Sequence, residues 1–189
     1  QHALRDVIGR CIYGVDINPM AVELCKVSLW IEAIEPGKPL SFLESHIQCG
    51  NSLLGTTPKL LADGIPDDAF KAIEGDDKNV VTDLKKRNKV ERRDRIQGQG
   101  LLFSSQNVLG ALASHFTELS ELDDSTVDAV ATKEQRHKEL LSRVEYQNAK
   151  LIADTWCSAF VWKKDGSEKG KLCSTDRDLS DLKEDLSSL

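Results

Sequence analysis

The sequence predicts an α/β chain, with one partial doubly wound βαβ unit near its start and a mainly α-helical insertion after it. Three observations carry that expectation. The run "RCIYGVD" (10–16) has the β-branched and aromatic content of a short interior strand. After Pro19 the apolar spacing changes from alternation to helical period, which marks a β-to-α handover. Beyond residue 56 the chain is long, charged and helical in pattern, with no convincing further strand.

Taken in order, a proline at a first helical position is pre-organised there, and Asp16 or Asn18 just upstream can accept from the orphan backbone N–H groups. The helix expected from about 19 to 33 carries Met20, Leu24, Val27, Ile31 and Ile34 on one stripe. Val22, Leu29 and Trp30 fill much of the rest, so burial on more than one side is expected. Two prolines and a glycine in "EPGKPL" (35–40) end it, and "SHIQCGNSLLG" (45–55) supplies a second short strand ending at Gly50 and Asn51. Strand, helix and strand within about 40 residues describe one right-handed crossover of a parallel sheet.

The later segments are a short acidic-headed helix at 65–75 and a highly charged helix at 78–97. A helix over 104–122 follows, with Val108, Leu112, His115 or Phe116, and Leu119 in register. Residues 132–162 form the longest periodic segment, with Leu140, Leu141, Val144, Asn148, Leu151, Ile152, Trp156 and Phe160 on one side. Each has one apolar stripe, so two or more must pack on one another. The turn at 163–171 leads into "STDRDLSDLKEDLSSL", a capping-box start with Leu179, Leu182, Leu186 and Leu189. That tail is weakly amphipathic, as a frayed end or one packed on an absent partner would be. The expected division is 1–57 for the βαβ unit, 58–163 for the helical insertion and 164–189 for the tail.

Composition removes several classes of function. The 189 residues are 40% hydrophobic and 30% charged, enough for a core and for solubility. No apolar run approaches a membrane span and "QHALRDVIGR" has no signal-peptide core, so a cytoplasmic protein with no membrane partner is expected. Five scattered cysteines with no C-x-x-C pair suggest reduced thiols, not a disulfide framework. His2, His46, His115 and His137 lack ligand spacing, and no metal is expected. The net charge of −6 argues against a surface given over wholly to nucleic acid. Because Met20, the one methionine, lies inside a helix pattern, the chain is expected to be part of something longer.

In doubly wound sheets ligands sit at the carboxyl ends of the strands, where a carboxylate can accept both hydroxyls of a ribose. Asp16 occupies such a place. Asn51, at the end of the next strand, can meet an adenine edge as donor and acceptor together. Equally, Asp16 can cap the helix and Gly50-Asn51 can make a turn, and spacing alone leaves both readings open.

"IYGVDINPMAVELCKVSLWIEA" followed by "PGKPLSFLESHIQCGNSLLG" resembles the segment after the cofactor-loop motif in large bacterial DNA adenine-N6 methyltransferases of the gamma class, the fused restriction-modification and phage-defence methylases. The resemblance is strong over 8–55 and looser at "NAKLIADTWCSAFVW" (148–162). It implies a Rossmann-like methyltransferase fold, S-adenosylmethionine as cofactor, DNA as substrate and the remainder of the methyltransferase domain as partner. By the same resemblance Asp16 holds the cofactor ribose, Ile17 packs on the adenine face and Asn51 lies in the adenine-contacting loop. The family's glycine-rich D-P-A-C-G-S-G type loop and its N-P-P-[FYW] target-base motif do not occur in this sequence. The resemblance therefore names no catalytic residue here and implies a piece that is inactive alone.

The run "KKRNKVERRDR" (85–95) is the other candidate. Lys85, Lys86, Arg92 and Arg93 would contact a DNA backbone, releasing counterions from the phosphates. Alternatively the run is a solvated helix face laced by Glu91 and Asp94. Trp30, Trp156, Phe160 and Trp162, at helical spacing among Leu and Ile, belong to a core. Two functions from different classes stay open: a methyltransferase fragment, and a non-enzymatic helical interaction or nucleic-acid-binding module.

Overall fold

A computed structural model of the protein describes residues 2–98 and 105–187, without the side chains of 98, 105–111 and 187. Its elements run α1 (His2–Cys11), β1 (Gly14–Asp16), α2 (Pro19–Glu32), β2 (Ile47–Cys49), α3 (Pro58–Asp63) and a 3-10 turn at Asp67–Phe70. There follow α4 (Lys78–Gly98), α5 (Ser105–Glu121), α6 (Val127–Ser142), α7 (Val144–Val161), a 3-10 turn at Gly170–Leu172 and α8 (Asp176–Ser187). The described residues are mostly helical, with one two-stranded parallel sheet. In it Gly14 pairs with Ile47, Val15 with Gln48 and Asp16 with Cys49. Strand, helix, strand at the expected places is thus present, but the strands are shorter than the apolar runs that announced them. Arg10 and Cys11 close α1 instead of opening β1. The side chain of Ile12 packs against the core without its backbone joining the sheet.

The chain divides into two compact units, residues 1–54 with 111–146 and residues 55–110 with 147–189. The first is built on Ile8, Val22, Ala33, Leu43 and Ile47, with Ile12, Leu29 and Trp30 packed around them. Trp30 Nε1 donates to Ser41 O at 2.8 Å, and the buried Arg5 donates to the carbonyls of Pro39 and Asp124. Lys133 on α6, 3% exposed, donates to Ser120 O and Leu122 O at 3.2 and 3.3 Å, satisfying carbonyls at the end of α5.

α2 differs from expectation in the face it buries. The inward residues are Val22, Lys26, Leu29, Trp30 and Ala33, while Met20, Leu24, Val27 and Ile31 are 65, 59, 44 and 63% exposed. A helix apolar on two sides does not say which side meets the core when the sheet beside it has two strands.

The second unit gathers Leu61, Ile65, Ala69, Phe70, Leu84, Trp156, Ala159, Cys173 and Leu179. Its α8, expected as a frayed end or one packed on an absent partner, is integral to it: Leu179 is 1% exposed and Thr175 fully buried. Half of the expected capping box is present: Thr175 N donates to Asp178 Oδ2 at 2.8 Å, while the Thr175 hydroxyl donates to the same carboxylate oxygen at 2.9 Å instead of accepting from the helix backbone. The long periodic segment at 132–162 is two helices. Arg143, with φ −66° and ψ 142°, separates them, so Leu140 serves the first unit and Trp156 the second. In α5, Leu112 and Leu119 are buried as their spacing requires; the side chain of Val108 lies outside the described residues.

Candidate cofactor-binding site

The carboxyl ends of the two strands bring Asp16, Ile17 and Asn51 into one neighbourhood. Asp16 ends β1 opposite Cys49, and Gly50 N donates to Asp16 O at 2.9 Å, which fixes Asn51 one residue beyond. Cys49 Sγ lies 3.7 Å from Ile17 O and adds a weak contact across the same end. Local hydrogen bonds then hold each side chain. Asn18 N donates to Asp16 Oδ1 at 2.7 Å, and Met20 N donates to Asn18 Oδ1 at 3.0 Å, so Asn18 is the N-cap of α2 and Asp16 supports the cap residue. Leu53 N donates to Asn51 Oδ1 at 2.9 Å, an Asx turn.

These bonds leave usable groups. Asp16 is exposed and its second oxygen has no partner among the described residues; a carboxylate has about four acceptor positions, and one is filled. Asn51 keeps its amide donors and one oxygen lone pair. Ile17 is 73% exposed, an apolar surface beside two polar groups. The donor set fits a nucleoside: an acceptor for vicinal hydroxyls, a flat-sided aliphatic group, and an amide for a base edge. A cleft of about 200 Å³ lies elsewhere, at the other end of α2, lined by Arg5, Trp30, Lys38 and Ser41 among others.

The basic run on α4 is not one surface. Arg87 pairs with Glu91 at 2.7 Å, Arg92 with Asp67 at 3.0 Å and Arg95 with the buried Asp176 at 2.7 Å. Arg92 therefore departs from the candidate group, drawn inward to Asp67 and to Ile65 O. Lys85, Lys86 and Arg93 remain exposed; Lys89, inside the run but outside the candidate group, and Lys78, seven residues before the run, join them. Helical spacing, not the density of charge along the chain, was the signal for Lys78.

Residues 10–171 match the Eco57I restriction-modification methylase family. The chain belongs to that family. A protein of Methanocaldococcus jannaschii named as a type II restriction enzyme and methyltransferase is 40% identical over 58 residues, covering 26% of this chain and 5% of that protein. No solved structure matches the chain. Among the described residues no group of three or more His, Cys, Asp and Glu is placed to hold a metal ion, and no helix is long and apolar enough to cross a membrane.

Proposed function

We propose that the chain is a segment of a DNA adenine-N6 methyltransferase, contributing the ribose and adenine wall of an S-adenosylmethionine pocket on a Rossmann-like unit. The observation that carries this reading is the convergence of Asp16 and Asn51 at the carboxyl ends of two paired parallel strands, in a restriction-modification methylase family member. Asp16 accepts the ribose hydroxyls through its unpartnered oxygen, Ile17 covers one face of the adenine, and Asn51 meets the base edge. The cofactor supplies an electrophilic methyl group for the adenine N6. The residues of this chain bind and orient; the N-P-P-[FYW] motif that would accept the target base does not occur in its sequence.

The rest of such an enzyme has a place to dock. A two-stranded sheet is marginal alone, and parallel sheets are ordinarily covered on both faces. The exposed stripe Met20, Leu24, Val27 and Ile31 supports packing against the remainder of the methyltransferase domain.

Calorimetry with S-adenosylmethionine tests the assignment. One charge-assisted hydrogen-bonding group contributes on the order of 1.5 to 3 kcal/mol, against roughly 8 kcal/mol for micromolar binding. The 189-residue chain alone should therefore bind weakly or not measurably, while Asp16→Ala in the longer enzyme should weaken binding by about 10- to 100-fold with the fold intact. Unchanged affinity in that variant would reduce Asp16 to a support for the Asn18 cap.

A further inference from the structure

α4 is the cationic element of an acidic chain. It carries eight basic and three acidic residues, net +5, whereas the whole chain is −6. The two kinds of cation on it are sorted by direction. Its arginines at 87, 92 and 95 are committed to carboxylates of their own unit, and Arg95 also donates to the carbonyls of Ala62 and Asp63. Lys78, Lys85, Lys86 and Lys89 are exposed, and no carboxylate among the described residues pairs with them.

At 100° per residue these four lysines and Arg93 fall within an arc of about 100°, spread over about 22 Å of helix. Asp83 and Asp94 lie outside that arc, to one side, and the contact between Asp94 and the ridge is a long one, 3.9 Å to Arg93 with both side chains in solvent. A face merely kept in water needs no such segregation, since alternating signs at i and i+4 solvate it and add stability. Five cations on one ridge repel one another instead, and a polyanion relieves that repulsion. Duplex DNA presents one negative charge per about 1.7 Å of axis, so a ridge of this length spans several phosphates. Lysine makes a point-charge contact, without the bidentate geometry by which arginine reads a guanine edge. No aromatic side chain interrupts the ridge to stack an unpaired base.

We propose that the outward face of α4, formed by Lys78, Lys85, Lys86, Lys89 and Arg93, is a sequence-independent docking ridge for the phosphate backbone of duplex DNA. This rests on the reading of the chain as part of a DNA-modifying enzyme and adds to it a contact outside the cofactor site. The ridge fixes position and orientation on the duplex; it carries no sequence information.

The test is fluorescence anisotropy of the 189-residue chain with a labelled duplex of about 30 base pairs, over roughly 50 to 200 mM salt. Replacing Lys78, Lys85, Lys86 and Lys89 together by Gln should lower affinity by about tenfold or more and flatten the log–log salt slope by about 3 to 4, for every duplex sequence alike. The same four positions changed to Arg should retain affinity and slope. A control that removes equal charge elsewhere in the same unit, Lys59, Lys163, Lys169 and Lys171 to Gln, should bind within about twofold of the parent. Melting curves check that each variant is folded. Equal losses in the ridge and control variants overturn the proposal, as does no duplex binding by the parent chain. Binding of single-stranded RNA through these lysines without duplex affinity also overturns it. Methyl transfer is assayed separately in the longer enzyme: a ridge that binds duplex DNA in a protein without methyl transfer sinks the enzymatic reading alone. Methyl transfer with duplex affinity indifferent to the ridge sinks the ridge alone.

Discussion

At the scale of single residues, the strand ends show how one short turn serves structure and chemistry together. The helix cap belongs to Asn18, which frees Asp16 from the role that composition alone would give it. Asp16 spends one acceptor position on the cap residue's amide and keeps the rest. A different kind of residue constraint sits in the second unit at Gly64. Its φ of 81° and ψ of −166° lie in a region that only glycine enters without strain. Its surroundings are fully engaged: Asp176 Oδ1 accepts from Ile65 N at 3.1 Å, and Trp156 Nε1 donates to Gly64 O at 2.9 Å. A Cβ at this position would collide with the carboxylate of Asp176 and the guanidinium of Arg95. Gly64→Ala should therefore cost about 3 kcal/mol or more, the sum of backbone strain and a displaced buried ion pair. Urea unfolding followed through Trp156 measures it. A loss below about 0.5 kcal/mol would mean the loop relaxes freely.

Elements show where periodicity informs and where it stops. The switch of period at Pro19 located β1, α2 and β2, because capping and turn chemistry are local properties of "DINP" and "GNS". It did not decide which face of α2 is covered, since Met20-Leu24-Val27-Ile31 and Val22-Lys26-Leu29-Ala33 both keep helical spacing; what packs beside the helix is not a local property. Nor did it mark the break at Arg143, where neither proline nor glycine interrupts the pattern and the two halves serve different cores. In the site, the positions of Asp16 and Asn51 were legible from the strand ends, whereas the withdrawal of Arg92 to Asp67 was not, because residues 67 and 92 meet through the fold alone. The exposed face of α2 has a measurable consequence. Leu24→Asp in the 189-residue chain should change stability by less than about 0.5 kcal/mol, since the side chain already faces water. In a longer enzyme whose remaining domain covers the stripe, the same change buries an unpaired carboxylate and should cost about 2 kcal/mol or more. Thermal melts of both proteins make the comparison. Equal small effects in the two would mean that nothing covers the stripe.

For the whole molecule, titratable groups are divided unevenly between the two units. All four histidines, at 2, 46, 115 and 137, belong to the first unit. His46 is buried and stacked on Tyr13, with ring centroids 4.3 Å apart, and its Nδ1 has no hydrogen-bond partner among the described residues. Burial, and then the Lys133 ammonium, push its pKa below the usual histidine value, against a backbone contact to Ile12 that acts the other way. His137 lies edge-on to Phe42 at 5.3 Å, and burial lowers its pKa too, opposed by Glu44. Both imidazoles resist protonation more in the fold than in the unfolded chain. Below pH about 6.5 the unfolded chain takes up protons that the folded unit resists, so stability is full above that pH and falls as pH drops toward the depressed folded values. The slope is at most about 1.4 kcal/mol per pH unit for each histidine. The second unit has no histidine, and its lowered carboxylate Glu91 matters only below about pH 4.5. Hydrogen exchange corrected for intrinsic rates should therefore show residues 41–49 and 127–142 losing protection between pH 7.5 and 5.5, while 61–70 and 84–95 hold theirs. Replacing His46 and His137 together by Gln should abolish that difference. Loss of protection in both units alike over this pH range would show that the acid response does not originate in the two buried imidazoles.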